Sequence, residues 1–305
     1  MAPFRIAMTG ATGFVGTDVL EQALGEGLRV NALTRRAQPP RARLKWVPGA
    51  LEDAAALDTL VRDADAVIHI AGVVNAPDRA GFEAGNARGT VAVIDAMRRR
   101  GIRRLVHVSS LAAREPELSD YGWSKALAER HVKASALDWT IVRPPAIYGP
   151  NDREMLDLFR MAKRGIMMLP PGGRLSVIHV GDLARLLLAA AKETENSLTS
   201  TYEVDDGTPG GWDHHDFGAA IGRAVGRQVR TLATPRWALG MAARTDRMIR
   251  GGKAKLTPDR VDYFCHPDWV VAPTMQPPRR LWMPQVPTED GLKATAAAYR
   301  EKGWI

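Results

Sequence analysis

Residues 9–16 read TGATGFVG, with glycines at 10, 13 and 16. The run before them, FRIAMT, has the length and apolar character of a buried strand. The segment after them, GTDVLEQALGEG, places Val19, Leu20 and Leu24 on one helical face and closes at Gly27. A strand, a glycine turn and a helix in that order make a phosphate cradle. Glycine lets the backbone turn tightly and approach a pyrophosphate, and the helix amino terminus offers free N–H groups and the positive end of its dipole. The alternative is a tight strand-to-helix turn with no ligand. The flanking elements favour the nucleotide site over it.

The alternation continues outward. RVNALTR, AVIHIAG, RRLVHVSS and WTIVRPPAIYG read as strands, and ALDTLVRDA, GTVAVIDAMRRRG and YGWSKALAERHVKAS as helices. Right-handed crossovers between such strands produce an α/β, doubly wound parallel sheet of the Rossmann kind, with ligands at the carboxyl ends of its strands. After Pro150 the pattern loosens. MLDLFRMAKRG reads as a helix, SVIHVGDLARLLLAAAKE as a strand, turn and helix returning to the sheet, and TYEVDDG as another strand. Beyond Gly207 the helices are broken by prolines, and 273–287 reads as a wrapping loop. Residues 1–150 with 176–205 are therefore expected to form a dinucleotide-binding domain. Residues 151–175 with 206–305 are expected to form a smaller, mostly helical C-terminal substrate lobe.

Of the 305 residues, 45% are hydrophobic, enough for a packed core. No apolar run approaches the roughly 20 residues that span a bilayer, so no integral membrane segment is expected. The start of the chain lacks a secretory pattern, and the single Cys265 excludes an intrachain disulfide and a multi-cysteine zinc site. A cytoplasmic setting is the expectation. The net charge is +8, with basic residues spread over RRAQPPRARLK, RRRGIRR and RMIRGGKAK. No zinc finger, aromatic nucleic-acid motif or homeodomain-like helix accompanies them. The reading is a solvated basic surface that attracts an anionic cofactor, with no nucleic-acid partner. No metal is expected either: in WDHHDF, His214 and His215 are adjacent and project differently, and Asp213 suits a helix N-cap. WALGMAARTDRMIRGGKAK (237–255) has apolar residues at helical spacing and a basic opposite side. It can lie on an anionic membrane or cover the substrate cleft. The second is expected, with Trp237, Leu239 and Met241 lining an apolar pocket.

The end of the second strand selects the dinucleotide. An NAD site places a carboxylate on the ribose 2′-hydroxyl about 20 residues beyond the glycines. Here that region reads ALTRR: Thr34 takes the acidic position, and Arg35 and Arg36 follow. Nothing there repels a 2′-phosphate, and an arginine fork pairs with one. NADP is favoured, with NAD as the alternative.

Chemistry enters with HVSS and YGWSK. Tyr121 and Lys125 are four apart and share a helical face. A free tyrosine titrates near 10, and a nearby ammonium brings the phenol into range for proton transfer. Ser110, at a strand's carboxyl end, is placed to hydrogen-bond a substrate oxygen. Ser109 reads better as a structural hydroxyl.

These stretches together resemble the extended short-chain dehydrogenases/reductases of the NAD(P)-dependent epimerase/dehydratase family. The resemblance rests on TGATGFVG, HIAG (69–72), NARGT (86–90), LVHVSS, YGWSK, VRPPAIYGP and VIHVGDLA, and on the terminal EDGLKATAAAYREKGWI. It implies that Gly10, Gly13 and Gly16 form the pyrophosphate turn, with Phe14 and Val15 offering backbone N–H groups. It places Ala71 and Gly72 under the adenosine–pyrophosphate half, Asn86 on the cofactor-side helix, and Pro144 and Ile147 against the nicotinamide. Ser110, Tyr121 and Lys125 become the catalytic triad, Lys125 also bonding the nicotinamide ribose, and His179 and Asp182 brace the lobe junction. The resemblance leaves monomer and homodimer both open.

Departures narrow the reading. Ala50 stands where an adenine-contacting aspartate is often found, leaving that contact to the Leu51 backbone. Leu111 and Ala112 follow Ser110 where sugar-nucleotide dehydratases carry an acid and a base. Only 11 positions separate Ser110 from Tyr121, a short loop that suits a smaller or less polar substrate than a sugar nucleotide. The expectation is an NADP-preferring oxidoreductase acting on a small-molecule carbonyl or secondary alcohol, with Tyr121 as general acid/base. A sugar-nucleotide epimerase and a redox-inert dinucleotide-binding assembly or regulatory protein are the alternatives.

Overall fold

The computed structural model describes residues 3–193, 195, 198–251 and 257–305. In chain order the strands are β1 (Arg5–Thr9), β2 (Arg29–Thr34), β3 (Leu44–Pro48), β4 (Ala66–His69), β5 (Arg104–Val108), β6 (Asp138–Arg143), β7 (Ala146–Tyr148), β8 (Ile166–Leu169), β9 (Arg174–Leu175), β10 (Val177–His179), β11 (Ser200–Glu203), β12 (Trp212–Asp213), β13 (Arg230–Ala233) and β14 (Asp268–Trp269). The helices are α1 (Phe14–Gly25), α2 (Ala54–Leu60), α3 (Arg79–Phe82), α4 (Gly89–Arg100), α5 (Asp120–Lys133), α6 (Leu156–Lys163), α7 (Val180–Lys192), α8 (His214–Val225), α9 (Arg236–Arg250), α10 (Pro258–Phe264) and α11 (Thr288–Glu301).

The chain forms two compact units. The first comprises Met1–Arg143, Leu183–Glu203 and Pro277–Trp282. Its sheet runs β11-β6-β5-β4-β1-β2-β3, and every pairing is parallel. The doubly wound α/β fold expected from the sequence is the one observed. The strand order reverses between β1 and β4, which opens a crevice at their carboxyl ends. β4 and β5 are buried along their whole length, and apart from His69, Arg104 and His107 their residues are apolar, as in a strand covered on both faces. Leu57, Leu60, Val67, Val93, Met97 and Leu105 are among the side chains of the core packed against this sheet.

The second unit comprises Pro144–Asp182, Val204–Gln276 and Met283–Ile305. Its core joins Tyr148, Phe159, Phe217, Ile221, Leu292 and Tyr299. Three small sheets pair β10 with β7, β13 with β8, and β9 with both β12 and β14.

Two strand expectations need correction. WTIVRPPAIYG is not one strand: Pro144 and Pro145 have no N–H for a ladder, so β6 stops at Arg143 and β7 begins at Ala146. SVIHV does not return to the central sheet, because β10 pairs with β7 and it is β11 that joins β6. β3 was not anticipated.

Candidate active site

The glycine turn closes β1 onto α1. Gly10 has φ +75°, and a Cβ there would lie 2.7 Å from the Ala71 backbone nitrogen. A Cβ at Gly16 would lie 1.9 Å from the Gly10 carbonyl oxygen. The turn and the first turn of the helix therefore meet with no room for a side chain. Gly13 is the exposed cap residue of α1 and makes no side-chain cap bond. The first-turn amides at Phe14 and Val15 thus meet no side-chain acceptor from the cap. A concave backbone that a Cβ would fill, at the amino end of a helix, fits a pyrophosphate.

Thr34 ends β2 and is buried. Its hydroxyl donates to the Arg36 carbonyl at 2.7 Å and accepts the Arg36 N–H at 3.3 Å. That small ring holds the turn on which Arg35 and Arg36 are exposed. Leu51 is half-buried against the core, under Gly89, where an added Cβ would come within 2.7 Å of its Cδ1.

Behind the turn lies a row of hydrogen bonds that the sequence reading missed. The Ala71 N–H donates to Thr9 Oγ1 at 3.2 Å, and Thr9 Oγ1 meets His69 Nδ1 at 2.6 Å. His69 Nε2 meets Thr90 Oγ1 at 3.0 Å, and Thr90 donates to the Asn86 carbonyl at 2.6 Å. Because the Thr90 proton is committed to Asn86, His69 must donate from Nε2 and accept at Nδ1. Burial, with the Lys125 charge added, depresses the His69 pKa to about 3 and keeps the ring neutral. The Asn86 side chain accepts the Val73 N–H at 2.8 Å and donates to Val73 O at 3.0 Å and to Ser124 Oγ at 2.8 Å. Ser124 in turn donates to the Tyr121 carbonyl at 2.8 Å. Asn86 sits in a π-helical turn over Glu83–Arg88, an irregularity that tends to occur at functional sites.

Ser110 follows β5. Its Oγ accepts the Ala112 N–H at 3.2 Å, capping the 3₁₀ turn Leu111–Arg114. Tyr121 lies in the first turn of α5, half-buried, its ring 6.2 Å from that of Phe82. Lys125, one turn further on, is buried and donates from Nζ to the Val108 carbonyl at 2.7 Å. A Cβ at Gly72 would lie 2.7 Å from Asn86 Oδ1 and 3.8 Å from Lys125 Nζ, so these three residues converge. Burial pushes the Lys125 pKa from the ordinary 10.5 down to about 8, and the Glu129 carboxylate opposes the fall.

Glu129, four residues beyond Lys125, is also buried. Arg143 grips it with two bonds, Nε to Oε1 at 2.8 Å and Nη2 to Oε2 at 2.7 Å, and Ser109 donates to Oε1 at 2.6 Å. Burial works against ionisation of Glu129, but the Arg143 and Ser109 bonds outweigh it and hold the carboxyl below its ordinary pKa. Arg143 also donates to Glu203 at 3.3 Å. Ser109 is thus a structural hydroxyl in this geometry. The Lys125–Glu129 spacing of four was a visible sequence signal for this pair. Its arginine, reached only through the sheet, was not.

Pro144 and Ile147 belong to the second unit, where Ile147 pairs with Ile178. So do His179 and Asp182. Asp182 Oδ2 accepts the N–H groups of Gln285 and Val286 at 3.0 Å each, and His179 packs edge-on to Tyr148 at 5.4 Å. Asp213 does cap α8, accepting the His215 N–H at 2.7 Å. Among the described residues, no group of three or more His, Cys, Asp and Glu side chains is placed to hold a metal ion. A cavity of about 300 Å³ lies between Asp65, Arg103 and Asp138, at the amino ends of the central strands and away from this site.

A family model described as NAD(P)H-binding matches residues 10–194. The match spans more than half of the chain, which therefore belongs to this NAD(P)H-binding family. It is similar to a ceramide reductase of Caulobacter vibrioides, 32% identical and covering 98% of this chain and 96% of that protein. It is also similar to a 2-alkyl-3-oxoalkanoate reductase of Stenotrophomonas maltophilia, 28% identical over 96% of this chain and all of that one. Among solved structures, a UDP-glucose 4-epimerase from Thermotoga maritima, determined with UDP-glucose, superposes with a TM-score of 0.72 at 17% identity. It covers 98% of this chain and 99% of that one, and shares the fold. Among the described residues, no helix is long and apolar enough to cross a membrane.

Proposed function

We propose that this protein is an NADPH-preferring reductase of a ketone on a lipid-like molecule, with Tyr121 as the proton donor. The observation that carries the reading is the buried Lys125 ammonium, one helical turn from Tyr121 and anchored to the Val108 carbonyl at 2.7 Å. A cation fixed there stabilises a phenolate, which is what a tyrosine needs to release a proton near neutrality.

Bound NADPH supplies the hydride. Gly10, Gly13 and Gly16, with the amides of Phe14 and Val15, would hold its pyrophosphate, Ala71, Gly72 and the Leu51 backbone would lie along the adenosine half, and Arg35 and Arg36 would pair with the 2′-phosphate. Thr34 fixes the turn that presents those arginines. In the same reading Pro144 and Ile147 face the nicotinamide and Lys125 bonds its ribose. Ser110 Oγ accepts from Ala112, which leaves its own proton to polarise the substrate carbonyl. Tyr121 delivers a proton to that oxygen as the carbonyl carbon is reduced, giving a secondary alcohol. The substrate class is supported by the two full-length relatives, both named as reductases and both named for an alkyl-rich molecule. The missing acid and base after Ser110 and the short loop to Tyr121 argue in the same direction. A reducing, cytoplasmic setting suits NADPH.

The test is a panel of 3-oxo acyl compounds of increasing chain length, followed by loss of NADPH absorbance, with NADH run in parallel. Turnover should rise with chain length, fall at least about a hundredfold in Tyr121→Phe, and lose its preference for NADPH in the Arg35→Ala, Arg36→Ala double variant. Permanently bound cofactor with no net NADPH consumption, and interconversion of a sugar nucleotide, would establish the epimerase reading instead.

A further inference from the structure

Among the described residues, the second unit carries large apolar side chains that its own core does not cover. On α9, Trp237 is 70% exposed, Met241 59%, Met248 89% and Ile249 76%. The first three are spaced by four and seven residues and share one face. The inward side is marked by Ala243, fully buried. A helix packs its apolar stripe inward as a rule, and here the large apolar residues lie on the opposite side. The expected apolar pocket at Trp237 and Met241 is not what the structure shows, since both side chains reach solvent. Two residues before α9, β13 ends. It pairs with β8 so that Leu232 lies beside Met168, and both are exposed, as is Ile166. Exposed apolar patches of this kind mark binding surfaces.

Charge identifies what this surface binds. Basic residues occur along the whole chain, but acids balance them elsewhere. Residues 226–251 hold six basic residues and only Asp246 as an acid, a net +5 within a chain of net +8. Arg244 is exposed within the apolar face, and Arg236, also exposed, is ion-paired with Asp262 of α10. Arg244 lies seven residues from Trp237, on the same side of the helix. An arginine there can bury its stem among lipid tails and leave its guanidinium at the headgroups. Exposed apolar side chains on a helix face that also carries a cation, in a basic stretch of chain, suit a helix lying in the plane of an anionic bilayer.

We propose that the α9 face is a peripheral membrane-binding surface, and that the protein docks through it on bilayers rich in anionic lipid. The inference stands independently of the ketone reductase reading, because none of these residues belongs to the candidate active site.

The experiment is flotation of the full chain with vesicles of phosphatidylcholine, alone or with about 30% phosphatidylglycerol. The protein should float with the anionic vesicles at low salt and be released as salt is raised. Met248→Asp with Ile249→Asp should lower the partition coefficient about tenfold or more while leaving NADPH turnover of a short, soluble ketone unchanged. Arg244→Glu should act in the same direction. Trp237→Ala with Met241→Ser is a second apolar pair on the same face, used if the aspartates disturb folding. Three results would overturn the proposal: no flotation with anionic vesicles at low salt, equal binding to neutral and anionic vesicles, or undiminished binding by the apolar-face variants. A wild-type dimer in light scattering that Met248→Asp with Ile249→Asp converts to monomer would also overturn it, by assigning the stripe to a second copy of the chain.

Discussion

Lys125→Met separates the role proposed for this residue in the reaction from its effect on stability. In the folded protein the ammonium titrates at about 8, against 10.5 in an unfolded chain, because burial strips its water. At about 1.4 kcal/mol per pKa step, holding the charge inside costs roughly 3 kcal/mol below pH 8. Nζ recovers part of this by donating to the Val108 carbonyl, a bond worth about 1 kcal/mol. Methionine fills a similar volume without charge, so the variant is expected to be about 2 kcal/mol more stable than wild type at pH 7. The sign of the pH dependence follows. Between pH 8 and 10.5 the unfolded wild-type chain binds a proton that the folded state does not, so wild type gains stability as pH rises. The advantage of the variant should therefore shrink through that window and vanish near its upper end. The assay is urea unfolding without added cofactor at pH 7, 8, 9 and 10, alongside carbonyl reduction, which should fall about a hundredfold or more in the variant. A variant less stable than wild type at pH 7, or a stability difference independent of pH, would refute the reasoning.

Three further outcomes follow from the geometry. Arg143→Met leaves the carboxylates of Glu129 and Glu203, 3% and 2% exposed, without their shared guanidinium, and should cost about 3–5 kcal/mol in urea unfolding. Adding Glu129→Gln should restore part of that loss, and strict additivity of the two changes would contradict the network. Gly16→Ala forces a Cβ against the Gly10 carbonyl, whereas a Cβ at Gly13 meets that oxygen at 3.3 Å. The first should lower the melting temperature by several degrees, roughly 2–4 °C per kcal/mol, and the second should weaken NADPH binding with little effect on melting. Asp18 is pushed up to about 6, chiefly by burial and then by Glu21. Its protonated form is the favoured one in the folded chain, so wild type loses stability as pH rises from about 4 to 6, and Asp18→Asn should be the more stable protein at pH 7 by at most about 1 kcal/mol after solvent screening. The two should converge near pH 4.

The parts of the fold legible in the sequence were those whose signals are local. β1, β4 and β5 are buried nearly throughout, so each is a mostly apolar run bounded by turn residues, and the glycine turn needs only its three positions and its neighbours. β3 escaped because it lies at the sheet edge, where LKWVP mixes buried and open positions. The two-residue strands of the second unit carry too few side chains for any period. In the candidate site, the positions of Ser110 after a strand and of Tyr121 and Lys125 one turn apart on a helix were legible because elements and spacing fix them. The bracing was not, since Thr9 meets His69 across 60 residues and Asn86 meets Ser124 across 38. Such partners are set by the strand order and cannot be read from spacing.

The row from Ala71 through Thr9, His69 and Thr90 to Asn86 has one polarity throughout, each proton pointing the same way. It looks like a proton conduit but ends on peptide groups. An amide N–H at Ala71 will not give up its proton near neutrality, and an amide carbonyl at Asn86 will not take one. The imidazole between them stays neutral far below physiological pH. The row is a strut and an insulator: it ties the glycine turn to the helix that carries Tyr121, and it closes that route to protons. In the proposed reduction, the proton that Tyr121 gives up is therefore not replaced along this row.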